Sequence, residues 1–405
     1  MMDEADVVVI GSGGLGAATA FYLAKHGAQS VALVDRHEIG SQNSPRAAGM
    51  VSHARKSDLL VQLIQRAGQM IKRFAQETGQ PLRWVQSGSL KVARRPPDAN
   101  VIADDIARGR RLGLDVEQIS LEEAHRLNPF LEPEGVLAVM RVGDDLYFDP
   151  AQVATGFARG AEARGAALLP HTTVTGLRIE DGGVTGVETN RGPIRSPVVV
   201  DAAGAWTRQV AAAGGIRIPL LPTRHQLFVT EPVDGAHADL PIVRIMDAAV
   251  YMRSCDGGLL WGAYEEAPRF FDMGALGERF HIKDTPLDAA VLWRAAKEVR
   301  PQLPVLLRAK VREHRGGIPT VTGDGQYLVG PAPGVRGFFF ASGCNVAGLS
   351  ASPAIGEALA AWIVDGHPPM DLTPLAADRF AAAAWSEEEL KKEAAWQYRH
   401  FYGAV

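Results

Sequence analysis

The chain has 405 residues, 46% hydrophobic and 22% charged, with a formal net charge of −4. That length accommodates two or three ordinary domains, and the balance is that of a globular protein whose charge points to neither nucleic acid nor an anionic membrane. Two cysteines, Cys255 and Cys344, are too few for a disulfide framework and point to a reducing compartment.

The N-terminus is acidic and runs straight into an apolar strand, Val7 to Ile10, without the pattern of a secretory signal. No apolar run reaches the ~18 residues a membrane span needs. A cytoplasmic protein is therefore expected. There is no CxxC or HExxH pattern, and no metal is expected.

After the first strand comes Gly11-Ser12-Gly13-Gly14-Leu15-Gly16, then a helix to Lys25, then a second apolar run, Val31 to Val34, closed by Asp35. This is the dinucleotide-binding fingerprint in its strand–helix–strand setting. Gly11 permits the tight turn, Gly13 lets the backbone approach a pyrophosphate, and Gly16 lets helix and sheet pack closely. Asp35 is placed to accept from the adenosine ribose, with Arg36 beside it.

A loop rich in Ser, Asn, Gly and Pro follows over 40–50. Apolar spacing then predicts a helix over Leu59 to Thr78, a strand pair around Gly88 within Trp84 to Ala93, and helical structure over 98–130 with a capping box at Ser120 to Glu123. Ala151 to Gly165 reads as a further amphipathic helix. Strands follow at 167–169, 176–181 and 184–189, the last two joined by an Asp-Gly-Gly turn. Val198 to Val200 is fully apolar and ends in Asp201-Ala202-Ala203-Gly204, as expected of a central parallel strand that a ligand approaches.

Residues 217–264 carry short β-rich runs divided by Pro and Gly, which predicts an antiparallel sheet forming a wall of a second domain. Thr285 to Glu298 reads as helix. A last apolar strand, Gly337 to Ala341, meets the loop Ser342 to Gly348 and a helix from about Ser352 to Asp365. The nucleotide domain is thus visited three times, at 1–90, 150–215 and 315–370. That leaves 91–149 and 216–314 for a substrate domain, and 371–405 as a C-terminal helical tail. Within that tail, Ser386 to Tyr402 is amphipathic; it caps the fold, contacts another subunit or docks on a partner.

Several stretches resemble the D-amino-acid-oxidase-like FAD-dependent superfamily, and most closely the flavin part of dimethylglycine and sarcosine dehydrogenases. They are GSGGLGAATAFYLAKHG at 11–27, SPRAAGMV at 44–51, VVVDAAGAWTRQVA at 198–211, PTRHQLFVTEP at 222–232 and GCNVAGLSASPAIGEALAAWIVDG at 343–366. The resemblance covers the chain to about Phe380. It implies an α/β plus antiparallel β fold: a Rossmann-like FAD-binding domain interleaved with a β-sheet-based substrate domain. Only about 25 residues follow where those enzymes continue into a folate-binding domain.

The resemblance also implies the cofactor contacts. Gly11, Gly13, Gly14, Leu15, Gly16, Asp35 and Arg36 would hold the ADP half. Ser44, Arg46, Ala47, Ala48, Gly49 and Met50 would line the pyrophosphate and the ring. Val174 would meet the adenine, and Ala203, Gly204 and Trp206 the phosphates. Gly343, Val346, Ala347, Gly348, Leu349 and Ser350 would lie by the pyrimidine edge, where a helix N-terminus stabilises negative charge.

Three departures follow. The dehydrogenases carry a His bonded to the flavin where this chain has Pro45-Arg46, and monomeric sarcosine oxidases use a Cys where this chain has Gly317, so FAD is expected to be non-covalent. The oxygen-activating Lys of those oxidases matches Leu260, which weighs toward a dehydrogenase.

The implied reaction is oxidation of the C–N bond of a small N-substituted amino acid, such as sarcosine, dimethylglycine, N-methyl-proline or an iminodiacetate-like compound, to an imine that hydrolyses. Two alternatives share the fold: a D-amino-acid or 2-hydroxy-acid dehydrogenase, and the flavin subunit of a heteromeric amine oxidase. Tyr251 and His225 match the family's active-site positions, although each is also explicable as a structural residue. A carboxylate substrate needs a guanidinium clamp; Arg46, Arg224, Arg253 and Arg315 are the candidates. Asn345 is a candidate for the flavin edge or the substrate, and Cys344 reads as a small residue near the flavin. Partners are a small amino-acid-like substrate and an electron acceptor or second subunit.

Overall fold

The computed structural model describes every residue except Met1, Ala382, Ala384, Ala404 and Val405; those parts of the expected tail and N-terminus lie outside the described residues. Val7–Ile10 is buried on both faces and becomes the centre of a six-stranded sheet. It pairs in parallel with Val31–Val34 on one side and Val198–Asp201 on the other. Val198–Asp201 pairs in parallel with Phe338–Ser342. Strands distant in sequence therefore bring three loops to one sheet edge. A fully apolar strand suits this position because helices cover both faces of a parallel sheet.

The helices over this sheet approach closely because their contact faces are small. Gly14–Lys25 presents Ala17, Ala18 and Ala20 to Gly348–Asp365. A Cβ on Gly356 would lie 2.6 Å from the Ala18 backbone carbon. Both helices begin without a side-chain cap and without an acidic residue in the first turn.

The second large sheet has eight strands. In spatial order they are Val311–Gly317, His225–Thr230, Gly258–Ala263, Val250–Cys255, Ile242–Ile245, Ser89–Ala93, Ala138–Val142 and Val116–Ile119. It is not wholly antiparallel as predicted: Ile242–Ile245 and Ser89–Ala93 pair in parallel. That pairing is open to them because the long intervening chain crosses between domains, whereas a tight hairpin enforces antiparallel neighbours.

Three further expectations change. Trp84–Val85 and Ser89–Ala93 are both strands, but they join different sheets instead of pairing together. The 98–130 stretch is helix Pro96–Arg111, edge strand Val116–Ile119 and helix Leu121–Leu127. Gly113, at φ 78°, turns the chain out of the first helix, a conformation glycine adopts without a steric penalty. The helix predicted over 59–78 breaks at Arg73 into Asp58–Lys72 and Phe74–Thr78. No helix among the described residues is long and apolar enough to cross a membrane.

Candidate active site

The three loops of the parallel sheet enclose a cleft of about 310 Å³. Gly11, Gly13, Gly14 and Leu15 form its floor, Asp35, Arg36 and Val174 one end, and Ala203, Gly204 and Trp206 one wall. Val346, Gly348 and Leu349 come from the last loop, and Ser44 and Ala47 from the loop after the second strand. The glycine loop is tightly turned and packed against the end of the neighbouring strand. A Cβ on Gly11 would sit 2.5 Å from the Ala202 carbonyl oxygen, and φ there is 97°. Gly14 N–H donates to Ser44 Oγ at 2.9 Å, and this ties two of the loops together. With uncapped helix starts on two sides, the cleft fits an extended dinucleotide with its pyrophosphate at the first helix.

Asp35 lines the cleft but is already engaged. Its carboxylate accepts from Ser12 N–H at 2.8 Å, Ser12 Oγ at 2.6 Å and His37 N–H at 2.8 Å. Burial pushes its pKa up, against the pull of those bonds. Asp35 thus braces the glycine loop from one end of the cleft. Gly16 and Gly343 do not reach the cleft. Gly16 packs on Gly11, where a Cβ would meet the Gly11 carbonyl oxygen at 1.8 Å, and Gly343 turns at φ 61° against Leu328.

A second pocket opens from the cleft through Asn43, Ala47, Val346 and Leu349, which line both. Arg46, Ala48, Gly49, Met50, Ala347 and Ser350 line it from the cofactor side. The eight-stranded sheet supplies the opposite wall with His225, Arg244 and Tyr251. Alternation along Val250–Cys255 turns Tyr251 to this pocket while Val250 and Met252 pack into the core behind the sheet. Tyr251 lies over Gly262, its cross-strand partner, where a Cβ would meet the hydroxyl at 2.4 Å.

Tyr251 Oη is 2.9 Å from His225 Nε2, and His225 Nδ1 is 2.7 Å from Tyr398 Oη, contributed by the C-terminal helix Glu387–Arg399. Dense surroundings push the His225 pKa down to about 3, so the imidazole is neutral and only one of its nitrogens carries hydrogen. The single Tyr398 hydroxyl hydrogen donates to the Arg224 carbonyl at 3.1 Å. Nδ1–H therefore donates to Tyr398, and the bare Nε2 accepts from the Tyr251 hydroxyl. Tyr251 is left with oxygen lone pairs and no hydrogen to offer the pocket. Burial holds its own pKa well above the usual tyrosine value.

Sequence reasoning missed a buried residue with open bonding. Arg244 is 2% exposed and stands directly across from Tyr251 in the sheet register. Nη1 donates to Asp145 at 2.9 Å, while Nε and Nη2 have no hydrogen-bond partner. Burial pushes the Tyr402 pKa up, against the pull of the adjoining Arg244 guanidinium, which also hydrogen-bonds its hydroxyl. Asp145 is fully buried and also accepts from Ser89 Oγ at 2.6 Å and from His53 N–H at 2.8 Å. Burial alone would raise the Asp145 pKa; Arg244, His53 and Ser89 overcome it and hold the carboxyl well below its ordinary range. The only signal for Arg244 in the sequence was a charge within the otherwise apolar run Ile242–Ile245, which needs the register to become informative.

The arginines singled out by sequence separate. Arg46 lines the second pocket, and its Nε donates to the Gly316 carbonyl. Arg224 is absorbed by Glu265 through bonds of 2.8 and 2.7 Å, and Arg315 by Glu313 through bonds of 2.8 and 2.6 Å. Arg253 donates to the Ala48 carbonyl at 2.7 Å and covers the Tyr147 ring, bracing the pocket loop from behind. None of these three lines the cleft or the second pocket. Their side chains already have partners, which a clamp must keep free. Asn345 faces the chamber beyond the pocket and holds its own loop: Nδ2 donates to the Gly343 carbonyl at 2.7 Å and Oδ1 accepts from Thr322 N–H at 3.1 Å. That loop is strained, with Asn345 at φ 42° and the β-branched Val346 at φ 65°. Cys344 lines the cleft. Leu260 is fully buried and reaches neither cavity.

The family described as DAO, FAD dependent oxidoreductase, matches residues 6–362. Mitochondrial sarcosine dehydrogenase of Mus musculus is 33% identical over 374 residues, 91% of this chain and 40% of the mouse protein, so the chain spans less than half the length of that relative. Sarcosine oxidase subunit beta of Rhodobacter capsulatus is 27% identical over 372 residues, 90% of this chain and 86% of that protein. Among solved structures, L-proline dehydrogenase from P. horikoshii superposes with a TM-score of 0.84 at 25% identity, covering 95% of this chain and all of that one.

Proposed function

Because this chain belongs to the DAO family of FAD-dependent oxidoreductases, with FAD as the dinucleotide of its cleft, we propose that it oxidises the C–N bond of a small secondary or tertiary amino acid. The observation that carries the reading is Arg244: a buried guanidinium whose Nε and Nη2 have no hydrogen-bond partner, directly across from Tyr251 in the sheet and facing the pocket beside Tyr402. A carboxylate meets such an edge in bidentate fashion. The names of the relatives agree with this, since sarcosine and proline are both secondary amino acids.

When bound, FAD supplies the acceptor for a hydride and its electron pair. The chain's own residues do the rest. Arg244 anchors the carboxylate and so fixes the α-carbon relative to the cleft. Tyr251, its proton committed to His225, accepts an N–H from the neutral amine and directs the nitrogen lone pair along the C–H bond that breaks. A tertiary amine has no such N–H when neutral and is held by the carboxylate alone. The C=N product hydrolyses to a shorter amine and an aldehyde or oxoacid.

We also read the FAD as non-covalent. Arg46 offers no imidazole and Gly317 no thiol; a Cβ at Gly317 would meet Asn43 Oδ1 at 2.2 Å, so a cysteine there would require Asn43 to move. The domain reading places FAD on the six-stranded sheet and the substrate against the eight-stranded one. The match to 86% of a sarcosine oxidase β subunit favours one further reading, a flavin subunit that passes electrons to a partner chain.

Anaerobic mixing of the purified yellow protein with candidate substrates tests the proposal. Bleaching by N-methyl amino acids, and not by D-amino acids or lactate, is expected. Bleaching by lactate or D-alanine alone would overturn it. Bleaching without turnover on artificial acceptors would point to the partner-dependent reading.

A further inference from the structure

Beyond Arg244 the second pocket continues into a chamber lined by Arg55, Lys56, Lys91 and Arg244, with Asp105 and Asp145 as its carboxylates. Four cations thus face two anions in a chain whose formal net charge is −4. The two carboxylates are committed. Asp105 holds Lys91 at 2.7 Å and is shared with Arg108 at 2.9 Å, and Asp145 holds Arg244. Among the described residues, Arg55 and Lys56 have no ion pair. Arg55 lines both the pocket and the chamber and rests against the Phe401 ring, with 5.5 Å from guanidinium carbon to ring centroid. Lys56 Nζ donates to the His400 carbonyl at 3.0 Å, so the C-terminal segment holds it at the chamber wall.

We propose that this chamber is a second anion subsite, and that the substrate is an N-substituted amino acid carrying a second carboxylate. The inference rests on the carboxylate reading of Arg244. A single substrate carboxylate there leaves the positive excess at Arg55 and Lys56 unanswered. A dicarboxylate answers both, with one group on Arg244 beside Tyr251 and the other reaching past Arg55. Arg55 is half-buried while Lys56 reaches water, so the unmatched cation held partly away from solvent is Arg55, and a charge-assisted contact to a bound anion favours it most.

The test uses the FAD-loaded protein and two unreactive probes, glutarate and its monoamide, titrated by their perturbation of the flavin spectrum. Glutarate should bind about tenfold or more tightly than the monoamide. Arg55→Gln should shrink that ratio to about threefold or less, and Arg55→Lys should restore most of it. Equal affinities in the unaltered protein, or a ratio that Arg55→Gln leaves unchanged, would overturn the subsite. If Arg55→Gln fails to fold, Lys56→Gln with the same ratio decides. Anaerobic flavin reduction by N-methylglutamate against N-methylglutamine separates the two readings. Reduction by both at equal efficiency defeats the diacid inference and leaves amine oxidation standing. No reduction by any N-substituted amino acid, with glutarate still preferred, defeats amine oxidation and keeps the anion subsite.

Discussion

In the proposed reaction Arg244 and Tyr251 would divide the labour that a small amino acid demands, charge on one side and lone-pair direction on the other. Replacing Arg244 by Gln should weaken substrate binding by about two orders of magnitude, because a desolvated charge-assisted pair is lost. Flavin content should stay normal, since Asp145 keeps its bonds to Ser89 and His53. Titrating the flavin-reduction rate against substrate concentration reads this directly. Tyr398→Phe removes the acceptor of His225 Nδ1–H and frees the imidazole to change tautomer. A roughly tenfold fall in kcat/KM is expected, together with a switch of the protonated nitrogen in the His225 ¹⁵N spectrum; a purely structural tyrosine would leave that signature in place. Tyr251 and His225 were proposed beforehand from their motifs, and the structure brings both to the pocket. Arg244 was not, because one arginine among many gains meaning only from its cross-strand neighbour.

Elements behaved as predicted where a continuous apolar run is bounded by clear turn residues, even though both faces are buried. The first helix and the strands at 7–10, 31–34 and 198–201 are examples. The 98–130 stretch failed because a glycine turn and an edge strand interrupt two short helices whose apolar spacing runs on without a visible break. The end of the 198–201 strand carries its own testable cost. Asp201 is fully buried, Oδ2 has no partner, and burial raises its pKa to about 8 despite the bond from Ala203 N–H. The folded state keeps a proton that the unfolded chain releases above about pH 4, so stability falls as pH rises from there to about 8. Asp201→Asn removes that dependence. Its melting temperature should exceed the parent's by a margin that widens between pH 5 and pH 8, at up to about 1.4 kcal/mol per pH unit. Melts at the two pH values check it, and a constant margin would show that Asp201 is ionised in the fold.

At the scale of the whole molecule, one site is assembled from segments that lie far apart in the chain. The glycine loop, the 204–206 turn and the 343–349 loop meet because their strands lie side by side in parallel register. The C-terminal helix reaches back to His225, and the residues after it close the chamber with Phe401 and Tyr402. Of the three roles considered for it, capping the fold describes these contacts. With no imidazole at Arg46 and no thiol at Gly317 to form a tether, acid precipitation should release all the yellow colour to the supernatant; colour retained in the pellet would reveal a covalent link.

The sequence by itself determined the dinucleotide cleft, because a turn, a close backbone approach and a helix start each demand particular residues at fixed local spacing. Local geometry of that kind is written into consecutive positions. Only the tertiary structure decided which arginine is free, which tautomer His225 holds and where positive charge goes unanswered. Those properties depend on partners brought from elsewhere in the chain, and a guanidinium matched by Glu265 or Glu313 is indistinguishable in sequence from one left open beside Tyr251.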